Sequence, residues 1–224
     1  MININFEHLE DLIQLENTQC NILVVENNSI YAKIMYSLYD TEDNYFKIFN
    51  EDFKIITDII TIFNPLLFDF NDRNMKSLLY EKLLGDLNKE VQIKHAIEQK
   101  YTFLVNQLTE FFEQNNDLNL KYSDEINYKD FLKFTGVSIN QTEFTSIFER
   151  VQNIIHYLTE LGNRKLVIFT HLNLFLTAEE YGYVVEQINL NNQTVLLIEN
   201  SCHNLTRIPY YVLDSDFFLS ENMV

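Results

Sequence analysis

The hydrophobic and polar positions near the start of the chain predict a buried strand that leads into a helix. Residues 22–25 form a continuous apolar run, which is typical of a strand covered on both faces. Polar residues follow, and Asn28 or Ser29 is placed to cap a helix. The apolar positions after the cap recur at helical spacing at Ile30, Ile34, Met35 and Leu38. Further extended segments are predicted at 2–6, 13–16, 45–49 and 54–63, the last of which also fits a short helix.

The pattern over residues 72–160 is instead that of long helices. Apolar residues recur at near-heptad spacing over about 87–115 and predict one long helix there. A second apolar face at helical spacing covers residues 144–158. Asn140 with Glu143 three positions later resembles a capping box that opens this second helix. We therefore expect two or more long helices that form an arm.

The last part of the chain returns to strands. Residues 166–169 and 195–198 are apolar runs that fit buried strands. Between them, Thr177 and Glu180 have the capping-box pattern of a helix that continues to about Ile188. A strand, a helix and a strand within about thirty residues form a βαβ unit, whose two strands lie parallel.

These segments predict an α/β fold with an inserted helical domain. We expect one parallel-containing sheet, built from residues 1–71 and 161–224, to form a head, and residues 72–160 to form a leg. The first strand–helix corner, at residues 26–29, stands where nucleotide-binding folds place a phosphate loop. It reads Glu-Asn-Asn-Ser, and neither GxxxxGK[ST] nor GxGxxG occurs in the sequence. A standard phosphate cradle is therefore excluded.

The composition adds a strong acidic bias. The 224 residues carry a formal net charge of −17, from 33 acidic and 16 basic residues. This argues against binding a polyanion and favours a cation or a basic partner. The two cysteines, Cys20 and Cys202, fit a reduced compartment better than a disulfide framework. Because signal-peptide features and a run of roughly 20 apolar residues are absent, we expect a soluble, cytoplasmic protein.

Polar residues follow each of the predicted buried strands. Glutamate, histidine and cysteine occur among them, and together these residue types can form a thiol nucleophile with a base. The segments lie on separate loops, so ordinary loop polarity and strand-end capping explain them better. We expect no catalytic residues among them. The three segments are Glu26–Asn28, Thr170–Asn173 and Glu199–His203.

An oxygen-rich cluster lies where the long helix is expected to end. Carboxylate and amide oxygens are the ligands that calcium and magnesium prefer. No EF-hand spacing is present, and a solvated acidic loop is the simpler interpretation. The cluster comprises Glu113, Asn116, Asp117, Asn119, Asp124, Glu125 and Asp130.

The basic residues are few, and two groups of lysines stand out. Lys129 and Lys133 are four residues apart and so share one face of a helix. Lys33, Lys47 and Lys54 belong to the α/β part of the chain. Taken singly, each is most simply a solubilising surface charge. In a cyclic oligomer the same residues recur around the axis and form a basic ring.

A series of short motifs runs in order along nearly the whole chain. They are INF…LENTQCNILVVEN near the start, YAKIMYSLY at 31–39, FLKFTGV at 131–137, IFERVQNII at 147–155, LVIF at 166–169, FLTAEE at 175–180, NQTVLLIE at 192–199 and YYVLDSDFFL at 210–219. Each alone is a packing motif. Together, with the length and the inserted helices, they resemble the CRISPR-associated Csn-two family of type II-A systems.

The resemblance implies a function that the composition does not. Members of that family have an α/β head related to P-loop ATPases, with a degenerate phosphate loop, and a helical leg. They are not known as nucleotide-consuming enzymes. Four copies form a ring that encircles double-stranded DNA and binds its free ends without sequence preference, and calcium stabilises the ring-forming conformation. They act in spacer acquisition with the CRISPR integrase proteins and the RNA-guided effector nuclease.

Carried onto this chain, the resemblance places the calcium ligands in the oxygen-rich cluster. Asp117, Asp124 and Asp130 are the first choices, followed by Asn119 and Glu125. Asn119 and Lys121 stand where acidic residues are expected in relatives, which leaves the number of calcium sites open. The expected DNA contacts are Lys33, Lys47, Lys129 and Lys133. Two alternatives stay open, a nucleotide-dependent enzyme on the same fold and a protein-only scaffold whose acidic surface docks a basic partner.

Overall fold

The chain divides into two compact units. The computed structural model describes residues 2–7, 9, 12–40, 42–43, 45–115, 121–123, 125–140, 143–205 and 208–222. The first unit combines residues 1–69 with residues 142–224, and the second unit consists of residues 70–141.

Every strand found among the described residues belongs to the first unit. The strands are β1 Ile2–Phe6, β2 Ile13–Leu15, β3 Cys20–Val25, β4 Phe46–Phe49, β5 Ile60–Ile62, β6 Val167–Thr170, β7 Val195–Glu199, β8 Tyr210–Leu213 and β9 Leu219–Asn222. A six-stranded sheet has the order β5-β6-β7-β3-β8-β9, and its neighbours are parallel except for β8 and β9. A smaller antiparallel sheet has the order β2-β1-β4.

The helices are shared between the two units. They are α1 Asn28–Tyr39, α2 Arg73–Lys89, α3 Val91–Asn115, α4 Tyr128–Thr135, α5 Ile147–Glu160 and α6 Ala178–Leu190. Helices α2, α3 and α4 fall within the second unit, and the other three lie in the first. Two short 3₁₀ turns, Pro65–Leu67 and Leu172–Leu174, also belong to the first unit.

The apolar runs seen in the sequence form the centre of the large sheet. Every residue of β6 and β7 is buried, and so are five of the six residues of β3. Strand β7 pairs with β6 on one side and β3 on the other, both in parallel. This confirms the predicted βαβ unit and the mixed α/β fold with a parallel-containing sheet. Helix α6 opens with the predicted capping box, in which Thr177 and Glu180 exchange both hydrogen bonds.

The long inserted helix is shorter than expected. The apolar pattern predicted one helix over about 87–115, but α3 begins at Val91 and α2 ends at Lys89. The chain bends at Glu90, whose ψ of 67° is not helical. Its carbonyl accepts from the Lys94 amide at 3.0 Å and so opens α3. The break contains neither glycine nor proline, which is why the periodicity gave no sign of it.

The boundary after the insertion also differs from the expectation. We placed residues 72–160 in the leg, whereas α5 packs within the first unit against α6 and the turn at 65–67. Its buried face explains this: Val151, Ile154, Ile155 and Leu158 are core residues. The expected cap, Asn140 with Glu143, is replaced by Ser146, whose hydroxyl accepts from the Glu149 amide at 3.1 Å.

A buried arginine ties α5 to the segment that precedes the insertion. Arg150 is 3% exposed. Its Nη2 donates to the Phe68 carbonyl at 2.6 Å, and its Nε donates to the Pro65 carbonyl at 3.3 Å. The guanidinium carbon lies 4.8 Å from the centroid of the Phe144 ring, a cation–π distance. The two points where the chain leaves and re-enters the first unit are thereby held by one side chain.

Candidate functional site

The corner between β3 and α1 is closed by its own side chain. Asn27, not Asn28 or Ser29, is the N-cap of α1. Its Oδ1 accepts from the Ser29 amide at 2.8 Å and from the Ile30 amide at 3.3 Å. Free amides at a helix N-terminus are what a phosphate binds in nucleotide folds. Here the asparagine occupies two of those donors, in agreement with the glycine-free sequence of the corner.

The end of β7 carries a fully buried carboxyl group. Glu199 is 0% exposed. It accepts from the Tyr181 hydroxyl at 3.1 Å and from the Asn173 amide at 3.3 and 3.4 Å. Burial raises the pKa of Glu199 to about 8, against the opposing effect of these hydrogen bonds. We expected only strand-end capping here, and the one signal in the sequence was a glutamate that ends an apolar run.

Two histidines and a cysteine follow the ends of β6 and β7. His171 adopts a left-handed backbone with φ of 60°, and its Nδ1 lies 2.9 Å from the Tyr31 hydroxyl. Burial lowers the pKa of His171. Cys202 and His203 are exposed, and among the described residues no hydrogen bond joins the Cys202 thiol to either histidine.

Two of the predicted DNA-contacting lysines line one groove. Lys33 lies on α1 and Lys47 on β4, and the antiparallel pairing of β1 with β4 sets Asn5 opposite Lys47. The groove is an open cavity of about 1130 Å³ between α1 and the smaller sheet. Its lining also includes Tyr45, whose ring centroid lies 5.2 Å from Lys33 Nζ. Sequence reasoning grouped the two lysines but missed this tyrosine, since nothing in the pattern distinguishes it.

Two acidic residues share that groove with the lysines. Glu7 and Asp43 belong to its lining, so its formal charge is balanced rather than positive. Lys33 is exposed and Lys47 half-buried, and neither forms an ion pair with another described residue. The groove therefore presents two available ammonium groups on a protein whose surface is mostly acidic.

The other two predicted lysines lie in the second unit, on α4. Lys129 and Lys133 are both exposed. Lys133 Nζ lies 2.8 Å from the Oδ1 of Asp130, and this carboxylate raises the pKa of Lys133. Asn127 caps the helix and accepts from the amides of Lys129 and Asp130 at 3.1 and 3.2 Å.

The structure covers only part of the predicted calcium site. Asp117, Asn119 and Asp124 lie outside the described residues. Glu125 and Asp130 are described, and both are exposed. Within the described ranges no three His, Cys, Asp or Glu side chains lie close enough together to hold a metal ion. Asp130 already has Lys133 as an ion-pair partner.

Comparison with known proteins decides the family. A family model described as CRISPR-associated protein (Cas_Csn2) matches residues 38–217. The chain belongs to the CRISPR-associated Csn2 family. A CRISPR-associated protein Csn2 from Streptococcus agalactiae is 32% identical over 228 residues, which cover 100% of both chains. One from Enterococcus faecalis is 32% identical over 222 residues, which cover 98% of both chains. Csn2 membership supports a CRISPR-associated role in adaptation.

Solved structures agree on the fold. The crystal structure of Stu0660 of Streptococcus thermophilus matches 99% of this chain and 76% of its own, with a TM-score of 0.65 and 15% identity. The ADP conformation of MJ1267, an ATP-binding cassette of an ABC transporter, matches 100% of this chain and 91% of its own, with a TM-score of 0.50 and 12% identity. At these identities both likenesses concern the fold alone. None of the helices in the described ranges is long and apolar enough to cross a membrane.

Proposed function

We propose that this Csn2-family chain is a non-enzymatic, calcium-dependent protein that binds the ends of double-stranded DNA during CRISPR spacer acquisition. The observation that carries the proposal is the family membership over the full length of the chain. The proposed setting is the bacterial cytoplasm, together with the CRISPR integrase proteins and the RNA-guided effector nuclease.

The distribution of lysines supports DNA contacts despite the net charge of −17. Lys33 and Lys47 share a groove in the first unit, and Lys129 and Lys133 share α4 in the second. Lysines recurring around a ring supply the counterion release that drives binding to phosphates. Because phosphates carry no sequence information, such binding is independent of sequence and weakens steeply with salt.

The inserted helix α3 supports assembly into a ring of four copies. None of its 25 residues is buried in the single chain. Its exposed large apolar residues include Phe103 at 60%, Leu104 at 57%, Leu108 at 53% and Phe111 at 59% exposure. Apolar surface of this extent on one helix is typical of a protein–protein interface. We assign it to a second copy of the chain, and light scattering in calcium is expected to give a tetramer. A persistent monomer would contradict the ring.

Calcium is proposed on the family resemblance and on the chemistry of the donors. Asp117, Asn119, Asp124, Glu125 and Asp130 supply oxygen ligands of the kind that calcium binds. Chelation is expected to loosen the tetramer, as measured by light scattering before and after the chelator is added. A tetramer of unchanged mass and unchanged stability in chelator would remove calcium from the proposal.

A nucleotide-dependent enzyme is the second candidate, because the fold resembles an ATP-binding cassette. The corner between β3 and α1 argues against it, because the Asn27 side chain already accepts hydrogen bonds from the amides of Ser29 and Ile30. We therefore read the head as a P-loop-related scaffold without a phosphate site. Saturable ATP binding, measured by calorimetry, would favour the enzyme instead.

A gel shift separates the candidates. Linear and circular duplexes of the same sequence are compared at low salt, each with calcium and with chelator. Linear DNA is expected to be bound more tightly in calcium than in chelator and, in calcium, more tightly than circular DNA. A protein-only scaffold retains neither. If linear DNA is not retained at low salt with calcium present, the proposed function is wrong.

A further inference from the structure

The bend between α2 and α3 at Glu90 has no local cause in the sequence. Sharp bends in helices usually occur at proline, at glycine or serine, or where a side chain inserts into the helical hydrogen bonds. Residues 86–94 contain no proline, glycine or serine, and the leucine, lysines, glutamate and glutamine among them favour helix. Val91 and Ile93 are 71% and 54% exposed, so burial of their apolar side chains does not hold the bend either.

A polar contact joins the two helices across the break instead. Lys94 Nζ donates a hydrogen bond to Asn88 Oδ1 at 3.0 Å. In a continuous helix these two residues would lie about 9 Å apart along the axis and about 120° apart around it. Side chains on one helix meet at spacings of three or four residues, and these two are six positions apart. The hydrogen bond therefore belongs to the bent form alone.

Helix α4 reaches the same lysine. Tyr128 is the first residue of α4, and its ring centroid lies 5.5 Å from Lys94 Nζ, a cation–π distance. The Tyr128 hydroxyl donates to Glu98 Oε1 at 2.8 Å. Lys94 and Glu98 are four residues apart and so share one face of α3. We call these four residues the latch: Asn88, Lys94, Glu98 and Tyr128.

We propose that Glu90 is a hinge, and that release of the latch lets α2 and α3 join into one straight helix. Only Glu90 separates the two helices, with φ of −100° and ψ of 67°, so a change at this one residue suffices. Straightening restores the helical hydrogen bonds that the break interrupts and loses the contacts of the latch. Through Tyr128, α4 then sets the direction in which α3 presents its exposed apolar face. The hinge goes beyond the proposed function, since it holds whether or not the chain binds DNA.

The distance between two spin labels measures the bend directly. The labels are attached at Lys76→Cys on α2 and Asn106→Cys on α3, both at exposed positions, after Cys20→Ala and Cys202→Ser remove the native thiols. Labelled chain is diluted into unlabelled chain, so that only distances within one copy are read. A straight helix sets the two positions about 45 Å apart, and the bend brings them closer. The protein with an intact latch is expected to give mainly the shorter distance.

Two variants release the latch, and a third is the control. Lys94→Met removes both contacts of the ammonium group and is expected to raise the population near 45 Å at least about 5-fold. Tyr128→Phe removes only the hydrogen bond to Glu98 and is expected to act in the same direction. Lys82→Met is the matched control, because Lys82 is an exposed lysine of α2 that pairs with Asp86 at 3.3 Å, outside the latch. It is expected to keep the shorter distance.

The substitution Val91→Pro tests the hinge in the opposite direction. Val91 is the first residue of α3, a position that accepts proline because its amide has no partner within the helix. In a straight helix the proline ring would clash with the carbonyl of Leu87, four residues earlier. Val91→Pro combined with Lys94→Met is therefore expected to return the shorter distance.

The three measurements decide whether the hinge exists. A longer distance in Lys94→Met that Val91→Pro reverses supports it. The hinge is overturned if Lys94→Met and Lys82→Met give the same distances, or if the longer distance survives the addition of Val91→Pro. A loss of helical circular dichroism in Lys94→Met would also overturn it, because straightening adds helical hydrogen bonds and does not remove them.

Discussion

Asp130 and Lys133 form an ion pair on α4, with Oδ1 2.8 Å from Nζ. We had assigned these two residues to different ligands, the carboxylate to calcium and the ammonium to DNA. Both side chains are more than half exposed, at 63% and 56%, so water and salt screen the pair and it adds little to stability. The pair matters because Lys133 competes with calcium for Asp130, and Asp130 competes with DNA phosphates for Lys133.

The first prediction concerns Asp130→Asn. In chelator at low salt, this substitution is expected to tighten binding to linear DNA a few-fold, because it leaves the Lys133 charge uncancelled and removes one negative charge. In calcium it is expected to bind more weakly than the wild type, because a proposed calcium ligand is lost. Anisotropy titrations in the two buffers measure both effects.

A second aspartate serves as the control for that experiment. Asp86 lies on α2 of the same unit and is ion-paired with Lys82 and Lys89 at 3.3 and 3.0 Å. Asp86→Asn removes the same charge from a similar exposed pair. It is not expected to tighten DNA binding in chelator and weaken it in calcium. Equal behaviour of the two variants would show that Asp130 has no special role.

The second prediction concerns pH. The pKa of Glu199 is raised from 4.5 to about 8, so the folded chain holds a proton that the unfolded chain releases above pH 4.5. This contribution to stability is complete below pH 4.5 and is lost as pH rises to about 8. The slope is at most about 1.4 kcal/mol per pH unit. Glu199→Gln is expected to remove this dependence, as measured by urea unfolding across that range.

The neighbours of Glu199 do not obscure its titration. Burial and the charge of Glu199 raise the pKa values of Tyr181, Tyr31 and Cys20, so these groups stay neutral in the range tested. The lowered pKa of His171 acts with the opposite sign, and it is common to both proteins. Glu186→Gln, at an exposed position of α6, is the control. Parallel stability profiles for wild type and Glu199→Gln would show that Glu199 does not hold the proton.

The third prediction concerns the closed corner. Asn27→Ala is expected to lower the free energy of unfolding by about 1 kcal/mol, because the amides of Ser29 and Ile30 lose their acceptor. Asn28→Ala changes an exposed asparagine one position later, outside the cap, and is expected to be nearly neutral. Urea denaturation of both variants measures the difference. Equal effects would show that Asn27 does not cap α1 in solution.

The fourth prediction concerns Arg150. Arg150→Met is expected to lower the free energy of unfolding by about 2–4 kcal/mol, because the carbonyls of Pro65 and Phe68 lose a charged hydrogen-bond donor in a buried setting. Arg164→Met changes an exposed arginine of the same unit and is the control. Thermal unfolding compares the two. If Arg150→Met lowers the stability no more than Arg164→Met does, Arg150 does not stabilise the segment that contains Pro65 and Phe68.

The central strands of the large sheet and the family were predicted from the sequence, whereas β8, β9 and some helix boundaries were not. Continuous apolar runs mark β3, β6 and β7 because strands buried on both faces consist mainly of apolar residues. The break at Glu90 has no such marker, since helix-forming residues surround it. The apolar face of α5 was recognised, but a pattern within one helix does not say which core receives it.

In the candidate site, too, local sequence predicts some features, and tertiary packing determines the others. Lys33 and Lys47 were proposed together, yet their common groove depends on the pairing of β4 with β1, which is a tertiary property. The hidden Tyr45 hydroxyl and the raised pKa of Glu199 depend on burial by residues distant in the chain. Such features follow from packing, and local sequence carries no trace of them.

The most direct test of the central claim is topological. The protein is loaded onto linear duplex in calcium, both DNA ends are then blocked with bulky protein caps, and the complex is challenged with high salt. A ring that encircles DNA is expected to stay on blocked linear DNA and to leave unblocked DNA through its free ends. Equal loss from blocked and unblocked DNA would contradict a ring that encircles DNA.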